Sequence, residues 1–249
     1  MILDPPSPEV IEALAPTGTL RAAINLSNFL LVTNTGDDGS PIGPSPDMAT
    51  ALAASLGVPL EFTTYPSPGS VADAAVEGVW DIGNIGAQPQ RAVHINFSAA
   101  YAEIEATLMV PAGSTAQSLA DLDQPGKRIA VKDRAAYCLW LERNIEHAEL
   151  VKVESLDDSF NAFVDQGLDA NAGLRPRLDT DLGELPSSRI LDGSFMTVQQ
   201  AMGTPKDRDP AGFEYVTRFV EHMKATGFVE ASIDSHGVAG KLTPAPVSP

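Results

Sequence analysis

The chain has a single cysteine, Cys138, among 249 residues, so it cannot form an internal disulfide. Basic residues are scarce as well. Sixteen Lys and Arg face 33 Asp and Glu, and the net charge of −17 argues against a nucleic-acid partner and against attraction to anionic lipid. The four histidines, His94, His147, His222 and His236, lack metal-ligand spacing, so no metal and no cofactor is expected. No apolar run reaches bilayer-spanning length, and direct membrane insertion is not expected. The segment "MILDPPSPEVIEALAPTGTLRAAINL" has no basic stretch leading into an apolar one, as a secretory leader would. With Met1 as the native start the expectation is a cytoplasmic protein; a chain that begins after a removed leader reads the same. Neither a Ser/His/Asp nor a Cys/His set is visible, and Cys138 in "YCLWL" reads as core.

What is present is globular: 43% hydrophobic and 20% charged residues, enough for one core or for two lobes of roughly 100 residues. "TLRAAIN" reads as a strand, the Gly/Pro/Asp-rich "NTGDDGSPIGPSP" as a hairpin or turn, and "DMATALAASLG" as a helix. "VPLEFTTY", "SVADAAVEG" and "WDIGNIG" continue the alternation, which is that of a parallel sheet with crossover helices. A second set follows in "RIAVKD", "AAYCLWLERN", "AELVKVE", "SLDDSFNAFVDQG" and "LDANAGL", with Ser155 as the expected N-cap of its second helix. "RILDGSFMTVQQAMGT" reads as extended, "DPAGFEYVTRFVEHMKATGF" as an amphipathic helix with Pro210 in its first turn, and "KLTPAPVSP" as a fraying tail. Sheets of this kind commonly bind ligands at the C-terminal ends of their strands. Arg91 lies just past one such end, as a solvated charge or as a fork aimed at a carboxylate or phosphate.

The segments "GTLRAAINLSN", "DMATALAASLGVPLEF", "AVEGVWDIGNIGAQPQRAVHINFSAAY", "SLADLDQPGKRIAVKD" and "SFNAFVDQGLDANAG" together resemble the type II periplasmic solute-binding proteins, specifically amino-acid-binding family 3 of the ABC importers. The resemblance runs from about Gly18 to about Phe228 in the family's order. It implies a two-lobed α/β fold, with residues 1–109 as the first part of lobe 1, 110–200 as lobe 2, and 201–249 as the return to lobe 1 with the frayed tail. It also implies a ligand clamped between the lobes by hinge closure, an ABC importer membrane component as partner, monomeric state and a periplasmic location. Arg91, followed by "NFS", matches the arginine that pairs with the ligand's carboxylate.

The same resemblance places Asn25 and Asn28 on the loop after the first strand, with Asn84, Ile85 and Gly86 on the backbone lining the cleft. Phe29 and Tyr65, in loops after strands, are candidate cleft walls, whereas Trp80 and Trp140 have core spacing. Lys132, Arg134, Ala135 and Ala136 fall at a strand-to-helix turn where small residues are usual; Arg134 adds a positive group or points to solvent. Where amino-acid binders carry an aspartate for the ligand's ammonium, this chain has Leu174, followed by Arg175. A buried ammonium without a counter-ion is costly, so the expected ligand is a small organic anion lacking the amine. A slipped alignment would instead bring in Asp169. Arg175 is a second anion contact or part of an exposed "RPR" turn.

An enzyme on the same scaffold, such as a dehydratase or decarboxylase like cyclohexadienyl dehydratase, is the alternative. Glu105 and Glu103 in "YAEIEATLMV" would be its acid or base, or else the polar face of a strand.

Overall fold

The computed structural model describes residues 3–248. A first helix absent from the periodicity reading, α1 (Pro8–Leu14), starts where the Ser7 hydroxyl accepts the Val10 N–H and Pro8 pre-sets the first turn. Strand β1 (Leu20–Asn25) leads to the short hairpin of β2 (Asn34–Thr35) and β3 (Pro41–Ile42). Then come α2 (Pro44–Leu56), β4 (Leu60–Tyr65), α3 (Pro68–Asp73), β5 (Ile82–Gly86) and the long β6 (Ile95–Val110). The middle of the chain holds α4 (Leu119–Leu122), β7 (Arg128–Lys132), α5 (Ala136–Asn144), β8 (Glu149–Val153), α6 (Leu156–Asp165), β9 (Ala170–Leu174), α7 (Arg175–Glu184) and β10 (Arg189–Ile190). Strand β11 (Met196–Pro205), α8 (Pro210–Ala225), α9 (Phe228–Ser235) and β12 (Thr243–Pro244) close the order.

Two compact units result: residues up to Glu103 with those from Gln199 onward form unit 1, and Ile104–Val198 form unit 2. The chain passes from one to the other inside β6 and inside β11, several residues before the first expected boundary because β6 runs on unbroken.

In unit 1, β1 lies parallel between β4 and β5, and β11 runs antiparallel to β5. Asn25 stands opposite Tyr65 and Ile24 opposite Asn84, so the C-terminal ends of three strands are level. Val71, Trp80, Ile85 and Ile95 pack into one apolar cluster, and the Trp80 indole N–H donates to the Val71 carbonyl at 3.2 Å. Gly43, ahead of α2, has φ of 151°, and a Cβ there would stand 2.4 Å from the Leu31 carbonyl oxygen. Only glycine allows that approach. The fully buried Asp81 carboxylate accepts from Arg21 Nε at 2.9 Å, Arg21 Nη2 at 2.7 Å and Arg208 Nη2 at 2.9 Å.

The C-terminal segment, expected to fray, is held instead. Thr243 and Pro244 pair with Glu103 and Ala102, the Ala245 N–H donates to the Tyr101 carbonyl, and Ser248 donates twice to Glu221. Its prolines suit an edge strand, which needs few N–H donors.

In unit 2, β7 lies parallel between β8 and β9, and β6 runs antiparallel to β9 and to β10. Met109, Ala130, Phe163, Leu168 and Leu178 fill its core. Ser155 caps α6 by accepting the Asp158 N–H at 3.0 Å. The segment "RPR" is no turn: it opens α7, with Pro176 in the first turn where its missing N–H costs nothing. Trp140 also departs from its core reading, since it is half-buried and stacks on Phe195 with ring centroids 5.4 Å apart.

Candidate ligand-binding residues

Unit 1 gathers its candidates at the level C-terminal ends of β1, β4 and β5. Arg91 starts a 3-10 turn after β5, is 5% exposed, and its Nη1 donates to the Gly86 carbonyl at 2.6 Å. That bond folds the guanidinium back over the strand end and fixes its plane. A guanidinium fixed at a strand end is the kind of group that recognises a carboxylate. A solvated surface charge would not be buried, so the surface reading of Arg91 fails.

The neighbours divide into groups that build the loop and groups that face outward. Asn25 Oδ1 accepts from the Ser27 N–H at 3.1 Å and hydroxyl at 2.9 Å, and Asn28 Oδ1 accepts the Leu30 N–H at 3.2 Å. Both asparagines thus shape the loop after β1. Phe29 is exposed, as is Leu26. Leu26 escaped the sequence reading, because the stretch that follows it, with Phe29, Leu30 and Leu31, is apolar too and gives it no contrast. Tyr65 is half-buried against the apolar cluster, and burial, then Glu77, pushes its hydroxyl pKa up. Asn84 is buried and donates to the Ser45 carbonyl at 3.0 Å, leaving its Oδ1 without a partner among the described residues. Ile85 contributes only backbone at this end, because its side chain belongs to the core with Trp80. Gln88, buried three residues before Arg91, is a further polar group that sequence reasoning missed.

Unit 2 has its own set. Lys132 ends β7 and is buried; Asp133 and Arg134 follow, exposed; Ala135 and Ala136 open α5, buried. Arg134 has φ of 57°, the left-handed conformation that usually calls for glycine, so its side chain is carried on a backbone that a glycine would adopt with less strain. Leu174 ends β9 and is 8% exposed. Asp169 sits before the other end of that strand, where Lys127 Nζ at 2.8 Å and the Arg128 N–H at 2.9 Å occupy its carboxylate. Five strand residues place it about 16 Å from Leu174. Burial would raise the Asp169 pKa, but these donors hold it below the usual value.

Arg175 and Glu105, 70 residues apart in sequence, bind each other: Nε donates to Oε2 at 2.8 Å, and Nη2 also reaches the Leu191 and Gly193 carbonyls. Arg175 is therefore neither a free anion contact nor part of a turn. Glu105 is 55% exposed and paired, which leaves it without the buried setting that tunes a general acid. Glu103 lies on β6 beside β12 and is half-buried. Asp133, Cys138 and Glu142 bring ligating atoms within 4.8 Å of one another, but Lys152 already pairs with Glu142 and burial pushes the Cys138 thiol up to about 11. A neutral thiol and a neutralised carboxylate are poor cation ligands.

The family model "Bacterial extracellular solute-binding proteins, family 3" matches residues 24–237. No curated relative matches the chain by sequence. Among solved structures, the cysteine-binding protein from Campylobacter jejuni is 15% identical with a TM-score of 0.75, covering 96% of this chain and 100% of its own. The amino acid ABC transporter substrate-binding protein AbpA from Streptococcus pneumoniae, bound to L-arginine, is 22% identical with a TM-score of 0.72, covering 90% and 97%. An ancestral amino-acid-binding protein, a precursor of cyclohexadienyl dehydratase, is 22% identical with a TM-score of 0.71, covering 90% and 98%. No helix among the described residues is long and apolar enough to cross a membrane.

Proposed function

Since the chain belongs to the bacterial extracellular solute-binding proteins, family 3, with their two-lobed type II periplasmic-binding fold, we propose that it captures a small organic anion bearing a carboxylate and no α-ammonium. Delivery would be to the membrane component of an ABC importer, outside the cytoplasm. The guanidinium of Arg91, buried at the end of β5, holds the carboxylate.

The observation that carries this reading is Leu174. The resemblance puts an ammonium's counter-ion at the end of β9, and a leucine there supplies no charge. Asp169, the carboxylate that an altered alignment would substitute, is committed to Lys127 before the far end of the strand. An ammonium enclosed beside Leu174 would lose its hydration with nothing in return. The arginine-bound and cysteine-binding relatives take amino acids; this chain would take the acid without the amine, a keto acid, a dicarboxylate or an aromatic acid. The pairing of Glu105 with Arg175 favours binding over catalysis by the same scaffold.

Thermal unfolding against matched pairs of α-amino acids and amine-free acids tests the proposal. A ligand at roughly 1,000 times its Kd stabilises by about 4 kcal/mol, which moves the midpoint by several degrees. The amine-free acids should shift the midpoint, the amino acids should not, and Arg91→Ala should remove the shift. Stabilisation by the amino acids alone would overturn the reading of Leu174; a shift that survives Arg91→Ala would overturn the assignment of Arg91.

A further inference from the structure

Unit 2 contains a cavity of about 360 Å³ that shares no residue with either candidate group. Its walls come from β6 (Thr107 and Leu108), from residues 117–120 at the start of α4, from Trp140 on α5, and from Leu191 and Phe195 on the segment between β10 and β11. A cavity of this size suits a small organic molecule. Two features set it apart from a packing gap. Trp140 and Phe195, tilted by 37° with centroids 5.4 Å apart, leave two large rings half-buried at its wall, although Tyr137, Cys138 and Leu141 of the same helix are fully covered. The only charged side chain lining it is Asp192, whose carboxylate is exposed and has no hydrogen-bond or ion-pair partner among the described residues.

Aromatic ring faces are negative, and a carboxylate beside them adds to the same sign. No Lys or Arg lines the cavity; the guanidinium of Arg175, which reaches the Leu191 and Gly193 carbonyls on either side of Asp192, is paired with Glu105, and the chain as a whole carries −17. From this juxtaposition we infer that the Trp140–Phe195 cavity is a second binding site, for a small organic ammonium. The rings take its apolar, weakly hydrated cationic head, and Asp192 supplies the counter-charge at the rim. The indole N–H of Trp140, unpartnered among the described residues, and the exposed Ser194 hydroxyl remain to hydrogen-bond a polar tail. The site stands whether or not the proposed anion reading holds, because it uses none of the same residues.

Choline chloride and its uncharged isostere 3,3-dimethyl-1-butanol, titrated calorimetrically into the whole protein at low ionic strength, test the charge requirement directly. Choline should give a saturable heat and the isostere should bind at least about tenfold more weakly, the loss of a desolvated cation–π contact. Trp140→Leu should cost about tenfold in choline affinity for the same reason. Asp192→Asn, a surface change that leaves the packing alone, should cost about threefold and flatten the dependence on salt. Equal binding of choline and the isostere would make the cavity a general apolar site and overturn the inference. So would the absence of a saturable heat, or choline affinity unchanged in Asp192→Asn and in Trp140→Leu.

Discussion

Replacing Asp81 by Asn removes one charge from a place where two arginines converge. The carboxylate is fully buried and accepts four donors: the Arg21 N–H at 3.0 Å, Arg21 Nε and Nη2, and Arg208 Nη2. Asparagine keeps the shape and one acceptor oxygen, but turns its amide donors toward guanidinium donors. Breaking a buried ion pair by neutralising one partner typically costs about 3–5 kcal/mol. The arginine side chains are 19% and 22% exposed, so water recovers part of that, and about 2–4 kcal/mol is expected. Urea unfolding at neutral pH, followed by circular dichroism, measures it, and the thermal midpoint should fall by about 5–15 °C. Arg208→Gln deletes one of the four bonds and should cost about 1 kcal/mol. A loss below about 1 kcal/mol for Asp81→Asn would show that the arginine heads are solvated in place and that the cluster is electrostatically idle.

Three further perturbations follow from the described geometry. Deleting residues 244–249 removes the acceptor of Lys224 and the donors to Glu221, and should cost about 1–3 kcal/mol in urea unfolding; an unchanged midpoint would mean the segment is merely laid on the surface. Gly43→Ala forces a Cβ to 2.4 Å from the Leu31 carbonyl at a φ of 151°, so a loss of at least about 2 kcal/mol is expected, and a parent-like melting curve would refute the close approach. Acid titration of the urea midpoint reads the carboxylates. Donors hold Asp169 and Glu221 below their ordinary values of 3.8 and 4.5 against the opposing effect of burial. Their contribution is complete above those values and disappears as pH falls through the lower folded ones. Stability should thus stay flat from neutral pH to about 5 and decline below about 4; a decline already under way at pH 6 would point to other groups.

The alternation of apolar strands and helices was readable because each βαβ step is local: β1 to β5 and β7 to β9 fall where periodicity and glycine stops put them. Ser155 announced its own helix, and the Gly/Pro/Asp cluster became the hairpin of β2 and β3. What escaped depends on distance or on competing signals. In α7 the Arg-Pro-Arg run imitates a turn, because proline suits the first turn of a helix and position i+1 of a β-turn equally. Trp140 keeps helical spacing with the buried Tyr137 yet lies at the edge of the apolar stripe, an edge that spacing alone does not locate. Arg175 with Glu105, and Asp81 with Arg21 and Arg208, are partners 60 to 127 residues apart. No local pattern encodes such pairs, so Arg175 and Glu105 looked like separate free charges. Asn28 lies on the expected loop, whereas Asn25 is the last residue of β1, still paired with Tyr65, and the bonds of both to Ser27 and Leu30 emerge only from the folded turn.

The chain's two tryptophans are divided one to each unit and differ in setting: Trp80 is sealed in the apolar cluster of unit 1, and Trp140 is half-open in unit 2. Nature has in effect colour-coded the halves. Emission from the sealed indole belongs at shorter wavelength than emission from the wetter one, and quenchers such as iodide reach only the second. The order in which the halves melt, and whether they melt as one, is thereby open to an optical experiment that needs no added dye.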